Sequence, residues 1–478
     1  MRRAIILLLL AICSSYARGQ DSIPASLSFH DYLEQVFQRH PRVRQADLQA
    51  DQGQAILRSA RGFFDPVVKS SLNKKNYNDS EYYRINDNSI VLPTWFGIEM
   101  KAGYEQNSGG YLNPEQVLPS GGLAYAGISL PLLQGLVIDE RRSALRQAEA
   151  LNDAAMAERE LLLNDLFFES SSIYWDWFAS WNALRVFQNA VELAEFRRQA
   201  VVSAFEQGDL PAIDTLEALI QVQNFLLSRN EALVKFLKAR FDLSFYLWPE
   251  SPDSMVTDTL KLPLSYEDMG DFGIAESALR DDLLMTLDEL HPELRWYRFK
   301  LEQLDVDRRW KAEKIKPLLN FNYNALSEPV TGNPIEGFNS QNYKWGLDFK
   351  FPLLLRNERG NLQLARIKLE QADLDLQQKT IELRNKVGAY YAEIENLVYQ
   401  IELYRNTVQN LAGLLYGERR RFQEGESSLF LVNSREITLI SAEVRLIDLL
   451  ARYQKAAAGL LWSSGSSLTY MQQIIPEM

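Results

Sequence analysis

The chain contains almost no cysteine and no excess of positive charge, and each shortage excludes a class of function. Cys13 is the only cysteine, so neither a disulfide framework nor a cysteine-based metal site is expected. The formal net charge is -12 and the chain has no basic run, so a nucleic-acid partner is not expected. The histidines, His30, His40 and His291, are not closely paired. The sequence therefore predicts no metal site, no cofactor and no enzyme active site.

Long apolar runs are also missing after the first twenty residues. Residues 1–19 begin with Arg2 and Arg3, continue with an apolar run and end with the small-residue pattern Ala17-Arg18-Gly19, which is the pattern of a secretory signal peptide. The alternative is lipidation at Cys13, although Ile12 is not the small residue that such a site prefers. No later run of about 18 apolar residues could form a transmembrane helix. An exported chain of this kind can enter a membrane only as strands.

Proline and glycine are scarce over two long stretches. Residues 136–207 contain neither, and residues 361–424 contain no proline. These stretches predict helices of roughly 108 and 95 Å, since a helix rises ~1.5 Å per residue. The second stretch carries two interleaved seven-residue series of apolar side chains, a pattern typical of supercoiled helices. The series are Leu362, Leu369, Leu376, Leu383, Tyr390, Leu397, Tyr404 and Leu411, and Val387, Ile394, Ile401, Val408 and Leu415.

Short alternating segments predict strands before each long helix. The first half has three, at 66–73, 95–104 and 123–130, separated by polar loops at 74–92 and 106–122. The second half has two, at 318–325 and 343–351. Aromatic residues in these segments are candidates for girdles at a membrane interface: Trp95, Tyr104, Tyr125, Tyr343 and Trp345.

Sequence landmarks recur at one offset, which indicates an internal duplication. His40-Pro41 and His291-Pro292 are 251 residues apart, and so are Pro66 and Pro317. The predicted domains are a signal peptide at 1–19, a first repeat at 20–248, a linker at 249–275, a second repeat at 276–462 and a tail at 463–478. The repeats carry strands at about 66–130 and 318–351 and long helices at about 136–207 and 356–424.

The predicted fold is mainly α with a membrane β-barrel. A small open sheet exposes its edges, and long helices with one apolar stripe need partners along their length. Association of several copies satisfies both needs by closing the strands into a barrel and the helices into a cylinder.

Several stretches resemble the TolC-like outer-membrane efflux channel family. They are the opening helix LSFHDYLEQVFQRHPRVRQA, the junctions ISLPLLQGLVIDERRSALRQAEA and FKFPLLLRNERGNLQLARIKLEQA, and the helix-hairpin turns FEQGDLPAIDTLEALIQVQN and FQEGESSLFLVNSREITLISAE. The resemblance covers residues 27–462. It implies a TolC-like homotrimer in the outer membrane, in which each copy gives four strands to a 12-stranded barrel above a periplasmic α-helical barrel.

The same resemblance implies a passive exit duct for efflux or type I secretion. Its expected partners are two further copies of the chain, outer-membrane lipid, a periplasmic adaptor protein and an inner-membrane transporter. The alternative is a secreted structural or adhesive coiled-coil protein. The strands distinguish the two, because a fibrous protein has no need for alternating hairpins at repeat-matched positions.

In that family, an acidic ring narrows the periplasmic tip beside the second hairpin turn. The matching positions here, Leu431 and Ser434, are not acidic. The equivalent positions in the first repeat are Asp214 and Glu217, three residues apart and therefore on one helix face. They are the candidate periplasmic gate, because a three-fold ring of carboxylates would hold cations and oppose anions. The alternative makes Asp214 a helix-start residue after Pro211 and Glu217 a solvated side chain.

The hairpin turns supply further candidates for contacts at the tip or with an adaptor. These are Gly208 and Gly425 in the turns, Arg421 before the second turn, and Arg435 after it. The arginines and Glu436 could pair across helices and keep the tip closed. The alternative is that the arginines at 419–421 only oppose the partial negative charge at a helix C-terminus.

Overall fold

The computed structural model describes residues 26–248, 262–268, 280–328 and 337–474. The predicted signal peptide, Cys13 and most of the predicted linker lie outside these residues. The helices are α1 Phe29–Arg39, α2 Pro41–Arg61, α3 Glu140–Glu206, α4 Ala212–Leu247, α5 Arg280–Leu290, α6 Pro292–Glu313, α7 Arg356–Gln423, α8 Leu429–Ser464 and α9 Ser467–Ile474. The strands are β1 Val67–Tyr77, β2 Ser80–Pro93, β3 Glu99–Ser108, β4 Leu123–Pro131, β5 Leu318–Ser327 and β6 Tyr343–Lys350.

Two long helices dominate the described chain. They are α3, with 67 residues, and α7, with 68 residues. Every member of the two seven-residue apolar series in α7 is buried or half-buried. The series therefore marks the side of the helix that packs against its neighbours, as the heptad pattern predicts. None of the described helices is both long and apolar enough to cross a membrane.

The chain divides into two compact units, each assembled from separated segments. The first unit comprises residues 1–45, 162–291 and 383–478, and the second comprises 46–161 and 292–382. Each unit takes segments from both predicted repeats, so folding of either one requires distant parts of the chain.

Aromatic side chains form part of the core of the first unit. Tyr174 and Trp177 of α3 are each 1% exposed, and Tyr32 of α1 is fully buried. The Tyr174 hydroxyl donates a 2.8 Å hydrogen bond to the Leu27 carbonyl, which ties the start of α1 to the middle of α3. This contact satisfies the polar tip of a large buried ring, as buried tyrosines usually require.

The repeated His-Pro pairs lie where one helix ends and the next begins. The backbone N–H of His40 donates to the Val36 carbonyl, and that of His291 donates to the Leu287 carbonyl. The following residues, Pro41 and Pro292, are the first residues of α2 and α6. Proline suits this position because its missing N–H would have no partner within the helix.

The second unit contains a six-stranded antiparallel sheet in the order β1-β2-β3-β4-β5-β6. The predicted polar loop at 74–92 is wrong, because β1 continues to Tyr77 and β2 occupies Ser80–Pro93. Asn78 and Asp79 form the turn between them with positive φ values of 50° and 55°, as a tight two-residue hairpin requires. Among the described residues, the first half therefore has four strands rather than three, and both halves together have six rather than the four that the resemblance implied.

The sheet has one apolar face and one polar face. Large side chains on the apolar face are between 37% and 75% exposed; they are Val68, Ile90, Leu92, Met100, Ile128, Tyr343, Trp345, Leu347 and Phe349. The opposite face carries Lys69, Asp87, Glu99, Lys101, Glu105, Asn320, Asn322, Asn324, Lys344, Asp348 and Lys350. One predicted girdle residue, Tyr125, lies on this polar face. It pairs with Gly103 of β3 and Leu326 of β5, in the same cross-strand row as Lys69.

Candidate functional site at the helical hairpin ends

Two helical hairpins in the first unit end in the same backbone motif. After α3, the N–H of Gly208 donates to the Phe205 carbonyl and that of Asp209 to the Ala204 carbonyl. After α7, Gly425 donates to Phe422 and Glu426 donates to Arg421 in the same pattern. This is the Schellman arrangement, which requires a left-handed residue. Gly208 has φ +88° and Gly425 has φ +79°, so the first role of both predicted glycines is to end a long helix.

A small apolar cluster joins the two hairpin ends. Val201 of α3, Ala218 of α4 and Leu429 of α8 are buried together, with Leu210 and Phe422 packed against them. The start of α8 is also capped by Ser428, whose side chain accepts a hydrogen bond from the Leu431 N–H. The two hairpins therefore form one packed end rather than two independent loops.

A buried ion cluster lies beside this apolar cluster. Glu436 of α8 has a side chain that is only 3% exposed. Arg197 of α3 donates to both carboxylate oxygens of Glu436, at 2.7 and 2.6 Å. Arg419 of α7 donates to one of the same oxygens at 2.8 Å. A buried carboxylate is stable only when charge and hydrogen bonds compensate it, and here two arginines from different helices do so.

Asn433 extends this cluster to the fourth helix of the two hairpins. Its side-chain oxygen accepts a 2.8 Å hydrogen bond from Arg197, and its amide donates at 3.2 Å to Glu217 of α4. Asn433 itself is 5% exposed. We name Arg197, Glu217, Arg419, Asn433 and Glu436 the hairpin clasp, because together they join α3, α4, α7 and α8.

The two predicted gate residues have different surroundings. Glu217 is half-buried and belongs to the hairpin clasp, so it is not simply a solvated side chain. Asp214 is also half-buried and lies in the first turn of α4, where its N–H donates to the Pro211 carbonyl. A carboxylate at this position also interacts favourably with the helix dipole. The helix-start interpretation of Asp214 thus has a physical basis.

The predicted arginines Arg421 and Arg435 surround a second buried carboxylate, Glu418 of α7. Ser427 donates a hydrogen bond to Glu418, and each arginine places a nitrogen 4.0 Å from a Glu418 oxygen. The Arg421 side chain remains 58% exposed, and it also donates to the Glu426 carbonyl at 3.3 Å. Arg421 therefore contacts the backbone of the turn after α7 and also remains an accessible cation there.

Sequence reasoning identified only part of this arrangement. It named Glu217, Glu436 and the arginines beside the turns, but it missed Arg197, Glu418 and Asn433. These three belong to helices rich in charged residues, so nothing in their spacing distinguishes a buried side chain from a solvated one.

One further carboxylate on α8 is perturbed by its surroundings. Burial raises the pKa of Glu443 above its ordinary value, and the nearby Glu267 carboxylate raises it further. Glu267 belongs to the short segment 262–268, which is attached to α3 by hydrogen bonds between Asn182 and both the Leu264 carbonyl and the Tyr266 N–H. Burial also raises the pKa of Tyr266 to about 12.

An exposed apolar stripe runs along α4. It repeats every seven residues and consists of Ile213, Ile220, Leu227, Val234, Phe241 and, just beyond the helix, Trp248. These side chains are between 43% and 69% exposed. A heptad stripe of this kind is the surface that one helix presents to another in a coiled coil.

Potential metal ligands come together at one place within the described residues. His30, Asp31 and Glu34 at the start of α1 offer ligand atoms within 4.8 Å of one another. His30 and Asp31 are exposed, and the His30 Nδ1 atom lies 3.7 Å from a carboxylate oxygen of Asp31. This is the arrangement of a solvated helix start, where acidic residues are favourable without any metal.

Comparison with known proteins finds a family match and several solved structures with a similar architecture. Residues 284–466 match the family described as outer membrane efflux protein. No curated protein sequence matches the chain. Among solved structures, the CmeC outer membrane channel of Campylobacter jejuni is 13% identical with a TM-score of 0.66, and the match covers 96% of this chain and 94% of that one. The MtrE outer membrane channel of Neisseria gonorrhoeae, in its open state, is 14% identical with a TM-score of 0.66, covering 92% and 89%.

A third structure, the outer membrane protein VceC of Vibrio cholerae, is 13% identical with a TM-score of 0.65, and the match covers 91% of this chain and 95% of that chain. The chain therefore has the fold of the TolC-like outer membrane channels. The sequence match to the outer membrane efflux protein family, which is a family of channels rather than of enzymes, covers residues 284–466.

Proposed function

We propose that this chain is the outer-membrane exit duct of a tripartite efflux or type I secretion system. The duct is passive, and its energy comes from an inner-membrane transporter that a periplasmic adaptor protein connects to it. The sheet lies in the outer membrane, and the long helices extend into the periplasm. The family match and the shared fold support this assignment.

The observation that carries the proposal is the two-faced sheet. On strand β6, for example, the apolar face exposes Trp345, Leu347 and Phe349, whose side chains are 59%, 52% and 65% exposed. Large exposed apolar patches on a protein mark a surface that some partner covers. In a membrane β-barrel, successive residues of a strand alternate between apolar side chains that face lipid and polar side chains that face the water-filled interior. The polar face would then line the pore, and the apolar face would contact outer-membrane lipid.

The functional unit is a homotrimer, and the α4 stripe supports this part of the proposal. A helix that exposes Ile213, Ile220 and Leu227 at heptad spacing needs a partner helix. A second copy of the chain is a suitable partner, because cyclic association gives each copy's stripe the same covering surface.

The periplasmic gate is proposed at the hairpin ends. Asp214 and Glu217 would form a ring of carboxylates in the trimer, and the hairpin clasp would hold these ends together. Opening would require α7 and α8 to move relative to α3 and α4, which would break the contacts of Glu436 with Arg197. The proposed contact surface for the adaptor protein lies at the same hairpin ends. It consists of the exposed Arg421, Arg435 and the turns at Gly208 and Gly425.

The test is single-channel conductance of the purified oligomer in planar lipid bilayers, with its mass measured on the same preparation. A trimeric mass and stable, cation-biased pores are expected, and heat dissociation of the same sample should abolish the pores. A monomer or fibre that never conducts would refute the duct and favour a secreted structural or adhesive coiled-coil protein. Cysteine pairs that lock the hairpin ends beside Gly425 should block export through an otherwise assembled channel.

A further inference from the structure

The hairpin formed by β1 and β2 lies at one edge of the sheet and pairs with β3. β1 begins six residues after the end of α2, and β2 returns to the same end, where Pro93 pairs with Glu99 of β3. The two strands have 11 and 14 residues, and a tilted membrane strand needs about 9–11 residues. The hairpin is therefore long enough to be part of a membrane wall and is more than a surface loop.

Side chains of the hairpin continue the rows of the other four strands. Val68 and Ile90 are directly in line with Ala102, Ala126, Ala325 and Tyr343 on the apolar face. In the neighbouring row, Leu92 is in line with Met100, Ile128, Tyr323 and Trp345. The apolar band thus extends onto β2, and Val68 brings it to β1 with 75% exposure.

A contact across the polar face fixes β2 in the sheet. The Tyr125 hydroxyl on β4 donates a 3.2 Å hydrogen bond to Asp87 on β2. To reach it, the ring passes over Gly103 on β3, where a Cβ would lie 2.5 Å from a ring carbon of Tyr125. Glycine in a strand often marks a site where another group approaches closely. This contact joins three strands, so the hairpin is held by side chains as well as by backbone pairing.

The two edges of the sheet are complementary. Each strand is antiparallel to its neighbour, so β1 and β6 run in opposite directions. All eleven residues of β1 are exposed, and β6 is exposed at every position except Gly346. An unpaired edge of this length is a template for another strand, and β6 of a second copy would meet β1 in the antiparallel sense.

We propose that all six strands of each copy enter the barrel wall, with β1 of one copy paired to β6 of the next. This inference rests on the proposed trimeric duct and changes its dimensions. Three copies of the six-stranded sheet supply eighteen strands, whereas four strands from each copy would supply twelve. Barrel diameter grows roughly in proportion to strand number, so this barrel would be about 1.5 times as wide.

A barrel of this width has a direct consequence for transport. Barrels of about 16–18 strands enclose an aqueous channel, whereas small barrels are filled by side chains. The lumen would be lined by the polar face, with both signs of charge, such as Lys69, Glu105 and Lys344. The outer-membrane part would then admit bulky hydrated cargo, and selection would fall to the helical part.

Disulfide cross-linking of the full-length protein in lipid bilayers tests this arrangement. Because Cys13 is the only cysteine, a Cys13→Ser background has none. Ser71→Cys on the polar side of β1 is combined in turn with Lys344→Cys, Gly346→Cys and Asp348→Cys on the polar side of β6. The matched control is Leu72→Cys, the next residue of β1, which is on the opposite face. A competing arrangement is tested by Glu105→Cys on β3 with the same β6 positions.

We expect at least one of the cysteine pairs that include Ser71→Cys to give covalently linked dimers and trimers after oxidation. The Leu72→Cys control and the Glu105→Cys pairs should give no such products. Cross-links from Glu105 but not from Ser71 would overturn the inference, because β3 would then be the edge of a twelve-stranded barrel. Trimeric protein without either cross-link would also refute it. A protein that is monomeric and does not conduct would instead refute the proposed duct itself.

Discussion

The hairpin clasp offers a direct test of what holds the helical ends together. Glu436→Gln keeps the size of the side chain but removes its charge. In the structure, this carboxylate is 3% exposed and accepts hydrogen bonds of 2.6 and 2.7 Å from Arg197 and of 2.8 Å from Arg419. Arg197 is itself 16% exposed, so the substitution leaves a cation with little access to water.

The size of the effect follows from that burial. Removing one partner of a buried ion pair costs about 3–5 kcal/mol. Arg419 is 39% exposed, so water can replace much of its lost contact. We therefore expect a loss near the lower limit, about 3 kcal/mol. Since about 1.4 kcal/mol corresponds to a tenfold change in an equilibrium constant, opening of the hairpin ends should become on the order of 100-fold more frequent.

Amide hydrogen exchange measures this opening directly. Peptides covering 429–440 in the Glu436→Gln trimer should exchange on the order of 100-fold faster than in the wild type, provided that opening and closing are fast. The double variant Arg197→Met with Glu436→Leu should restore much of the protection, since a buried ion pair can often be replaced by apolar side chains. The matched control is Arg198→Met, which removes a cation paired with Glu195 three residues earlier on the same helix. Wild-type exchange in Glu436→Gln would refute the reasoning.

Three further predictions concern the sheet, the gate and a buried histidine. Leu347→Arg places a charge on the apolar face and should cost about 2–4 kcal/mol of folding free energy near the bilayer centre, so the yield of folded trimer should fall. The control is Gly346→Arg on the polar face, which should assemble normally because nothing lies within 4 Å of its Cβ position. Asp214→Asn combined with Glu217→Gln should reduce cation selectivity in reversal-potential measurements, and unchanged selectivity would exclude these residues as the ring. Burial is the main cause that lowers the pKa of His40 from 6.5, so the unfolded chain takes up the proton first, and the melting temperature should fall as pH drops below about 6.5. His40→Phe should reduce that pH dependence, and an identical pH profile would contradict the assignment.

The helices could be predicted because the sequence itself restricts them. A stretch such as 136–207, with neither glycine nor proline, has no residue that would end a helix, and α3 spans Glu140–Glu206 within it. The heptad series of α7 likewise identified its packing side. Both predictions depend on local backbone preference and on side-chain periodicity, which are properties of a few consecutive turns.

The β1–β2 hairpin shows where this reasoning failed. Residues 74–92 are mostly polar, and polarity in a soluble protein usually indicates a loop. Here, Lys69 and Asp87 are on the polar face, and the opposite face also carries charge near the turn, where Lys74 pairs with Arg84. The informative signal was the Asn78-Asp79 pair between two runs of similar length, because these residues tolerate the left-handed turn of a tight hairpin.

The sequence by itself determined the long helices, their apolar sides, the glycine turns at Gly208 and Gly425, and the resemblance to outer-membrane efflux proteins. Tertiary structure alone decided which charged residues are buried. Glu436 and Arg197 are separated by 239 residues, and their pairing depends on how the packed helices are rotated about their axes. It also decided that the sheet has six strands, because register between distant segments is set by long-range pairing and by contacts such as the one between Tyr125 and Asp87.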